Sequence, residues 1–101
     1  MSIETSVTTD NQILIISVIG KFDFNLLNEF RQAYTNNTAD FVKVIIDMRR
    51  TLTIDSSALG MLLNMQRYLN KFNTEINIIN CNPDVFKIFD ITHFDEKFNI
   101  E

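Results

Sequence analysis

The chain has 101 residues, of which 46% are hydrophobic and 22% are charged, so it can bury the core of a single domain, taken as residues 1–101. Nine basic and thirteen acidic residues give a net charge of −4, which argues against binding to nucleic acid or to an anionic membrane surface. The one cysteine, Cys81, cannot close an internal disulfide, and no apolar run reaches the ~18 residues of a membrane span, so we expect a cytoplasmic protein without membrane insertion.

The first part of the chain predicts a β-hairpin followed by a helix. The run from Ile13 to Ile19 is apolar and β-branched, which is typical of a strand covered on both faces. Residues from Ile3 to Val7 predict a shorter strand that pairs with it through a turn at Asp10-Asn11. After this the apolar spacing changes to three and four residues, which predicts a helix from Asn25 to about Asn36-Asn37.

Strands and helices alternate in the rest of the chain. The predicted strands are Phe41 to Asp47, Glu75 to Ile79 and Lys97 to Ile100. One helix is predicted from Ser56 or Ser57 to about Phe72. Another begins at Pro83 with Asn82 as its N-cap, and its predicted buried stripe is Val85, Ile88 and Phe89. The order predicts an α/β fold with a mainly parallel sheet of four to five strands, one antiparallel edge strand and about three to four helices.

Polar residues follow several of these strands. Asp23 leaves the second strand, the segment Asp55-Ser56-Ser57 closes the loop after the third, and Asn80 and Cys81 leave the fourth. The carboxyl ends of parallel strands share one edge of a sheet, which is the usual place for ligands and partners. We therefore expect these residues to converge at that edge.

The segment from Ile54 to Gly60 carries the strongest functional signal. Asp55, Ser56 and Ser57 stand at the start of a helix, where such side chains accept hydrogen bonds from free N–H groups, and capping alone would explain them. A phosphorylated hydroxyl would also be stable there, because the positive end of the helix dipole favours an anion. It would place new negative charge beside anything that docks on the helix.

The helix that follows this segment divides into a buried face and a flank. Helical spacing predicts that four residues form the centre of the buried face: Ala58, Leu62, Met65 and Leu69. Met61 and Tyr68 lie toward the side that carries Ser57 and Asn64. They either complete the core or form, with the serine, a face that binds a partner protein.

Enzymatic chemistry has little support in the sequence. The only glycines, Gly20 and Gly60, do not belong to a glycine-rich phosphate loop. A serine hydrolase would need the single histidine, His93, to reach Ser56 or Ser57, but after the third predicted helix we expect it in an exposed loop or at a satisfied edge position. Asp23 and Asp55 supply fewer oxygen ligands than a hard cation prefers. We expect no enzymatic activity, no catalytic residues, no metal site and no cofactor.

Four segments occur in the order and at the spacing of a known family. They are Gly20-Lys21-Phe22-Asp23, Val44-Ile45-Ile46-Asp47, Asp55-Ser56-Ser57-Ala58-Leu59-Gly60 and Ile76-Asn77-Ile78-Ile79-Asn80. Over essentially its whole length the chain resembles STAS domains, the sulphate-transporter and anti-sigma-factor-antagonist domains, and most of all the free-standing bacterial anti-sigma factor antagonists. The turn that begins at Asp55 is the most specific of these segments, although Ala58 stands where many members have glycine.

The resemblance implies a phosphorylation-controlled partner switch. In that family a hydroxyl of this turn, usually the second, is phosphorylated by a serine kinase that is often the anti-sigma factor itself, and a PP2C-type phosphatase reverses the modification. By position the acceptor is Ser57 here, with Ser56 as the alternative. The unmodified form binds the anti-sigma factor and frees the sigma factor, whereas the phosphorylated form lets go. We expect a monomer or a weak dimer.

The resemblance and the helix pattern together predict a set of partner-binding residues. These are Asp23, Asp55, Ser56, Ser57, Met61, Asn64 and Tyr68. For Asp23, helix capping is the alternative role. Two other functions agree with the same resemblance: a non-switching STAS subunit of a lipid-transport ATPase complex, and a switch whose output is an effector other than a sigma factor.

Overall fold

The computed structural model describes residues 2–36 and 41–101, which form one mixed sheet and the helices packed on it. The strands are β1 (Ser2–Val7), β2 (Ile13–Phe22), β3 (Lys43–Asp47), β4 (Thr51–Ile54), β5 (Glu75–Ile79) and β6 (Asn99–Ile100). The α-helices are α1 (Leu27–Thr35), α2 (Ser56–Asn70) and α3 (Pro83–Ile91). The predicted α/β class is confirmed.

The sheet has the predicted mainly parallel arrangement. Its strand order is β1-β2-β3-β5-β6, and only the edge strand β1 runs antiparallel to its neighbour among the strands described. The hairpin between β1 and β2 turns at the predicted place, where Asn11 has a φ of 59°. There the Asp10 carboxylate accepts hydrogen bonds from the Thr8 hydroxyl at 2.6 Å and from the Gln12 N–H at 3.1 Å.

Strand β4 is an addition to the predicted four to five strands, and brings the sheet to six. The chain leaves β3 at Met48, makes a turn closed by a hydrogen bond from the Thr51 N–H to the Met48 carbonyl, and then pairs in parallel with the far end of β2. That pairing contains an irregularity between Gly20 and Lys21, where Gly20 has a φ of 87° that a residue with a Cβ rarely adopts. The final pair of this register is Phe22 opposite Ile54.

Strand β2 is fully buried on one face. Leu14, Ile16 and Val18 are inaccessible to solvent and belong to one core cluster with the buried residues of all three helices. Ile15 and Ile19, on the opposite face, are only half-buried. The prediction that this strand is covered on both faces is therefore wrong, since the apolar run continues onto a face that the core cluster does not include.

The helices begin and end close to the predicted positions. A 3₁₀ turn at Phe24–Leu26 precedes α1, which ends at Thr35, while Asn37 of the predicted helix end lies outside the described residues. Helix α2 ends at Asn70, two residues before the predicted limit at Phe72. Helix α3 has Asn82 as its N-cap and Pro83 in its first turn, as predicted. No helix in the two described stretches is both long enough and apolar enough to cross a membrane.

A row of aromatic rings ties these elements together. Adjacent ring centroids are 5.1 to 5.6 Å apart along Phe22, Phe30, Tyr34, Tyr68 and Phe72. Pairs at this distance contribute about 0.5–1.5 kcal/mol beyond the area that they bury. The row fixes α1 between the end of β2 and the second half of α2.

Candidate functional site

The pairing of β2 with β4 brings two carboxylates to one edge of the sheet. Phe22 lies opposite Ile54 in the register of β2 and β4, and Asp23 and Asp55 are the next residues after these two. Because neighbouring strands of a sheet lie about 4.8 Å apart, the two acids are close to each other. The Asp23 carboxylate accepts a hydrogen bond from the Asn25 N–H at 3.0 Å, and the Asp55 carboxylate accepts one from the Ala58 N–H at 3.1 Å. Both acids therefore cap the helical turns that follow them, as the capping interpretation predicts.

The Ser57 hydroxyl donates a short hydrogen bond to this acidic cap. Its Oγ lies 2.6 Å from Asp55 Oδ1, the same oxygen that accepts the Ala58 N–H. The hydrogen bond from Ser57 is the main cause that lowers the pKa of the Asp55 carboxyl, and backbone N–H groups at the helix start add to it. Asp55 and Ser56 are exposed and Ser57 is half-buried, so the turn is accessible from solvent.

The outer face of α2 is open next to Ser57. Gly60 and Asn64 are exposed, and with Ser57 they follow the three- and four-residue spacing that places side chains on one face of a helix. A Cβ added at Gly60 would meet no atom within 4 Å, so the fold itself does not require a glycine there. This open helix face is defined by Ser57, Gly60 and Asn64.

Two predicted partner-binding residues lie further inside. Met61 is only 4% exposed and belongs to the core, so the expectation that it lies on an exposed docking face is wrong. Helix α1 packs against α2 on this flank and widens its buried face, as the contact between the Tyr34 and Tyr68 rings shows. Tyr68 itself is half-buried, with the Lys71 Nζ 5.6 Å from its ring centroid.

The polar residues that follow β5 do not join this site. Asn80 donates to the Asp47 carboxylate at 3.0 Å, at the end of β3, and Asn82 donates to the Thr51 carbonyl at the start of β4. Asn80 and Cys81 thus lie at the opposite end of β4 from Asp55, and the prediction that they converge with Asp23 is wrong. Cys81 is half-buried, and burial raises the pKa of its thiol to about 11.

Two exposed apolar residues, one after β2 and one in β4, were not predicted. Phe24 follows Asp23 directly and is 67% exposed, and Leu52 in β4 is 64% exposed. The exposure of Phe24 could have been predicted, because Phe24 lies outside the apolar spacing of the helix that follows Asn25. Leu52 belongs to the strand that the sequence prediction omits.

The serines are not arranged as in a hydrolase. Ser57 donates to Asp55, whereas the exposed His93 has Glu96 as its neighbour, with 4.0 Å between His93 Nδ1 and Glu96 Oε2. Across residues 2–36 and 41–101, no three or more His, Cys, Asp or Glu side chains form a group that could hold a metal ion.

Fold and site together define a small α/β domain that presents a hydroxyl and two capping carboxylates beside an open helix face. Residues 4–101 match the STAS domain family. The chain belongs to that family, as the sequence resemblance predicts.

Known proteins with similar sequence or structure agree with this assignment. A STAS-domain containing protein of Pseudomonas aeruginosa is 37% identical over 100 residues, which cover 99% of each chain. The anti-sigma factor antagonist SpoIIAA in its unphosphorylated form has the same fold, with a TM-score of 0.76 and 18% identity over 99% of this chain and 87% of that one. The phosphorylated form of the Bacillus cell fate determinant SpoIIAA gives 0.75 and 18% over 99% of this chain and 91% of that one.

Proposed function

We propose that this chain is an anti-sigma factor antagonist that works in the cytoplasm as a phosphorylation-controlled partner switch. The unmodified chain binds an anti-sigma factor with serine kinase activity, phosphorylation of Ser57 releases that partner, and a PP2C-type phosphatase restores binding. The observation that carries the proposal is the accessible Ser57 hydroxyl at the start of α2, in the most specific turn of the family. The chain acts here as a binding module and not as an enzyme.

The surface around Ser57 suits a docking protein. The open helix face has no side chain at Gly60, so a partner can approach the α2 backbone closely. Asp23 and the exposed ring of Phe24 follow the end of β2, where the register with β4 places Asp23 next to Asp55, and they provide a carboxylate and an apolar anchor. We therefore assign partner binding to Asp23, Phe24, Asp55, Ser56 and to the open helix face.

Phosphorylation would oppose docking at this place by charge. A phosphate on Ser57 adds about −1.5 to −2 charges and three strongly hydrated oxygens. A partner that covers the open helix face would have to desolvate this anion beside the Asp55 carboxylate. Release then requires no refolding of the domain.

The direct test compares the two forms against the natural partner. The tagged chain is recovered from its native cells, the partner is identified by cross-linking and mass spectrometry, and its affinity is measured for the unmodified chain and for a chain with phosphoserine incorporated at position 57. We expect the affinity to fall by about 5- to 150-fold, the usual range of coupling between two sites. Phosphoserine at the exposed Ser6 in β1 is the matched control and should leave the affinity unchanged. Equal affinity of both Ser57 forms would exclude the switch.

A surface variant tests the docking face without phosphate. In Gly60→Gln the new side chain enters open space, so the fold should remain intact while the partner meets a steric obstacle. We expect weaker partner binding with an unchanged melting temperature. Gly60→Ala is the conservative control, and binding by the glutamine variant at full affinity would place the interface elsewhere.

A further inference from the structure

Strand β1 forms one edge of the sheet, and every second residue in it turns its backbone groups away from β2. Thr8, directly after the strand, donates its N–H to the Ile13 carbonyl at 3.1 Å, so the backbone of Thr8 faces β2. In an antiparallel pair, residues that face the neighbouring strand alternate with residues that face away from it. The continuous register of β1 and β2 therefore turns the N–H and C=O groups of three residues outward: Ile3, Thr5 and Val7.

This edge has none of the features that protect edge strands from pairing with another chain. Such features are prolines, lysines, bulges and a very short length. The six residues Ser2–Val7 include no proline and no lysine, and their register with β2 has no irregularity. The edge strand on the other side of the sheet, β6, has only two residues. Strand β1 is therefore the edge that is suited to take up another strand.

A groove beside β1 has room for the side chains of an added strand. It has a volume of about 280 Å³ and lies between β1, with Ile3 and Thr5, and α1, with residues such as Ala33. Val7 lies on the same side of the sheet as these two β1 residues, because all three stand opposite buried residues of β2. A strand paired with β1 would place every second side chain on the side of this groove.

We propose that the edge of β1 binds β1 of a second copy of this chain, in an antiparallel pair with its two-fold axis at Thr5. In this register Ile3 of each copy lies opposite Val7 of the other, and the two Thr5 residues lie opposite each other. Each of these pairs exchanges two hydrogen bonds, because all three residues turn their backbone groups outward. Val7, which is 44% exposed in the single chain, becomes covered. The two-fold pair uses the same edge of both copies, so assembly stops at the dimer.

The charge on β1 favours this register over its neighbours. Glu4 is the charged residue of the strand and lies on the face away from α1, where its Oε1 is 2.7 Å from Arg50 Nη2. With the axis at Thr5, Glu4 lies opposite the neutral Ser6 of the other copy. An axis at Glu4 would set two carboxylates directly opposite each other, which is destabilising. An axis at Ser6 would leave Ile3 opposite a residue beyond the end of β1. The strand is thus complementary to itself in the proposed register.

The first test removes a hydrogen bond donor from the centre of the interface. The contact is one strand pair, so we expect a weak dimer that forms as the concentration rises, as sedimentation velocity would show. In Thr5→Pro the lost N–H is one that β2 does not use, and an edge strand tolerates proline there. The dissociation constant of the dimer should rise about 5- to 150-fold, which corresponds to two lost hydrogen bonds. Thr5→Val keeps the N–H and is the matched control, with an unchanged dissociation constant.

The second test uses two substitutions of one exposed residue that act with opposite sign. In Ser6→Lys the new ammonium lies opposite Glu4 of the other copy, whereas in Ser6→Glu a second carboxylate does. Two such pairs form across the two-fold axis. We therefore expect the dissociation constant to fall about 2- to 30-fold in the lysine variant and to rise by a similar factor in the glutamate variant. Because the lysine variant strengthens the dimer, a defect in folding cannot imitate this result.

Amide NMR spectra at rising concentration locate the contact. The amide protons of Ile3, Thr5 and Val7 should shift downfield, whereas those of Glu4 and Ser6, which face β2 in both states, should stay nearly in place. A chain that remains monomeric at millimolar concentration overturns the inference. A dimer that ignores Thr5→Pro, or that responds with the same sign to both Ser6 variants, also overturns it. None of these results affects the proposed switch, because no residue of β1 belongs to the open helix face.

Discussion

At the scale of single residues, one carboxylate oxygen joins the structural and the proposed functional roles of the site. Asp55 Oδ1 accepts the Ala58 N–H, which stabilises the start of α2, and the Ser57 hydroxyl, which is the proposed acceptor of phosphate. Capping and phosphorylation are therefore not competing interpretations of this turn. The Asp55 carboxylate that caps α2 also accepts the hydrogen bond of the Ser57 hydroxyl.

Removing the hydroxyl should change the titration of its partner. In Ser57→Ala the main cause that lowers the pKa of Asp55 disappears, so this pKa should rise toward its ordinary value. Carboxyl ¹³C chemical shifts followed against pH measure the change. Asp10 is the control in the same sample, because the Thr8 hydroxyl lowers its pKa independently of Ser57. A pKa of Asp55 that does not move in the variant would contradict the short hydrogen bond.

The lowered pKa of Asp55 also makes the free energy of unfolding depend on pH. The pKa of Asp55 is lower in the folded chain than in the unfolded chain, so its charged form stabilises the fold above the unfolded pKa. This stabilisation is lost as the pH falls through the folded pKa. In Ser57→Ala the free energy of unfolding should therefore depend less on pH in the acid range, as urea titrations at several pH values would show.

At the scale of elements, the two sides of α2 have different tasks. Met61 and Asn64 are three residues apart, but Met61 is buried against the core while Asn64 is exposed on the open helix face. Helical spacing alone places Met61 at the border between the two sides. The packing of α1 against α2 decides on which side it lies, and this is a tertiary effect that the sequence of α2 does not contain.

The pair Met61→Ala and Asn64→Ala separates core from surface. We expect Met61→Ala to lower the free energy of unfolding by about 2–5 kcal/mol, because it leaves a cavity in a packed core. Asn64→Ala should change it by no more than about 0.5 kcal/mol. Urea denaturation of both variants measures the difference. If Met61→Ala is as stable as the wild type, Met61 does not belong to the packed core.

Asn82 connects two elements that the sequence prediction treats separately. Its Oδ1 accepts the Val85 N–H at 2.9 Å and caps α3, while its Nδ2 donates to the carbonyls of Thr51 and Leu52 in β4 at 3.0 and 3.3 Å. The cap is evident from the sequence because Pro83 follows it. The second contact depends on a strand that no sequence pattern indicated.

Two substitutions of Asn82 divide these roles. Asn82→Ser keeps a capping oxygen but is too short to reach β4, so it should cost about 1 kcal/mol, the net value of a typical hydrogen bond. Asn82→Ala also loses the cap and should cost about 0.5–2 kcal/mol more. Chemical denaturation gives the energies, and amide exchange should become faster in β4 in both variants. Equal losses in the two variants would mean that the cap adds nothing.

At the scale of the whole molecule, local patterns predicted most elements and tertiary contacts decided the rest. Strand β5 has the predicted bounds from Glu75 to Ile79, because its apolar residues stand between Asn73 and Asn80, whose positive φ values end the strand on both sides. Strand β4 has only four residues and exists through its pairing with the end of β2. That same pairing sets Asp23 beside Asp55. The sequence predicts both acids and the two serines at the sheet edge, but without β4 it also places Asn80 and Cys81 among them.

The phosphorylated chain should keep the architecture of the unmodified one. At Ser57 the phosphate gains about 0.3–1 kcal/mol from the helix dipole, while it loses one exposed hydrogen bond of similar value and is repelled by the Asp55 carboxylate. Solvent and salt screen this repulsion because the turn is exposed, so the changes nearly cancel. The free energy of unfolding should therefore change by less than about 1 kcal/mol, which in a domain of this size is a melting shift of no more than about 4–8 °C.

Amide NMR spectra of the chain with phosphoserine at position 57 locate the change. Because charges at the surface are screened within about 8 Å at physiological salt, we expect shift changes in the turn after Asp23 and in the first two turns of α2, with β5 and α3 unaffected. Ser57→Ala in the same experiment separates loss of the hydroxyl from gain of the charge, since only the phosphorylated chain should perturb the amides near Asp23. Shifts that spread through β5 would show that phosphate acts by changing the fold, and a switch based on charge at the docking face would then be insufficient.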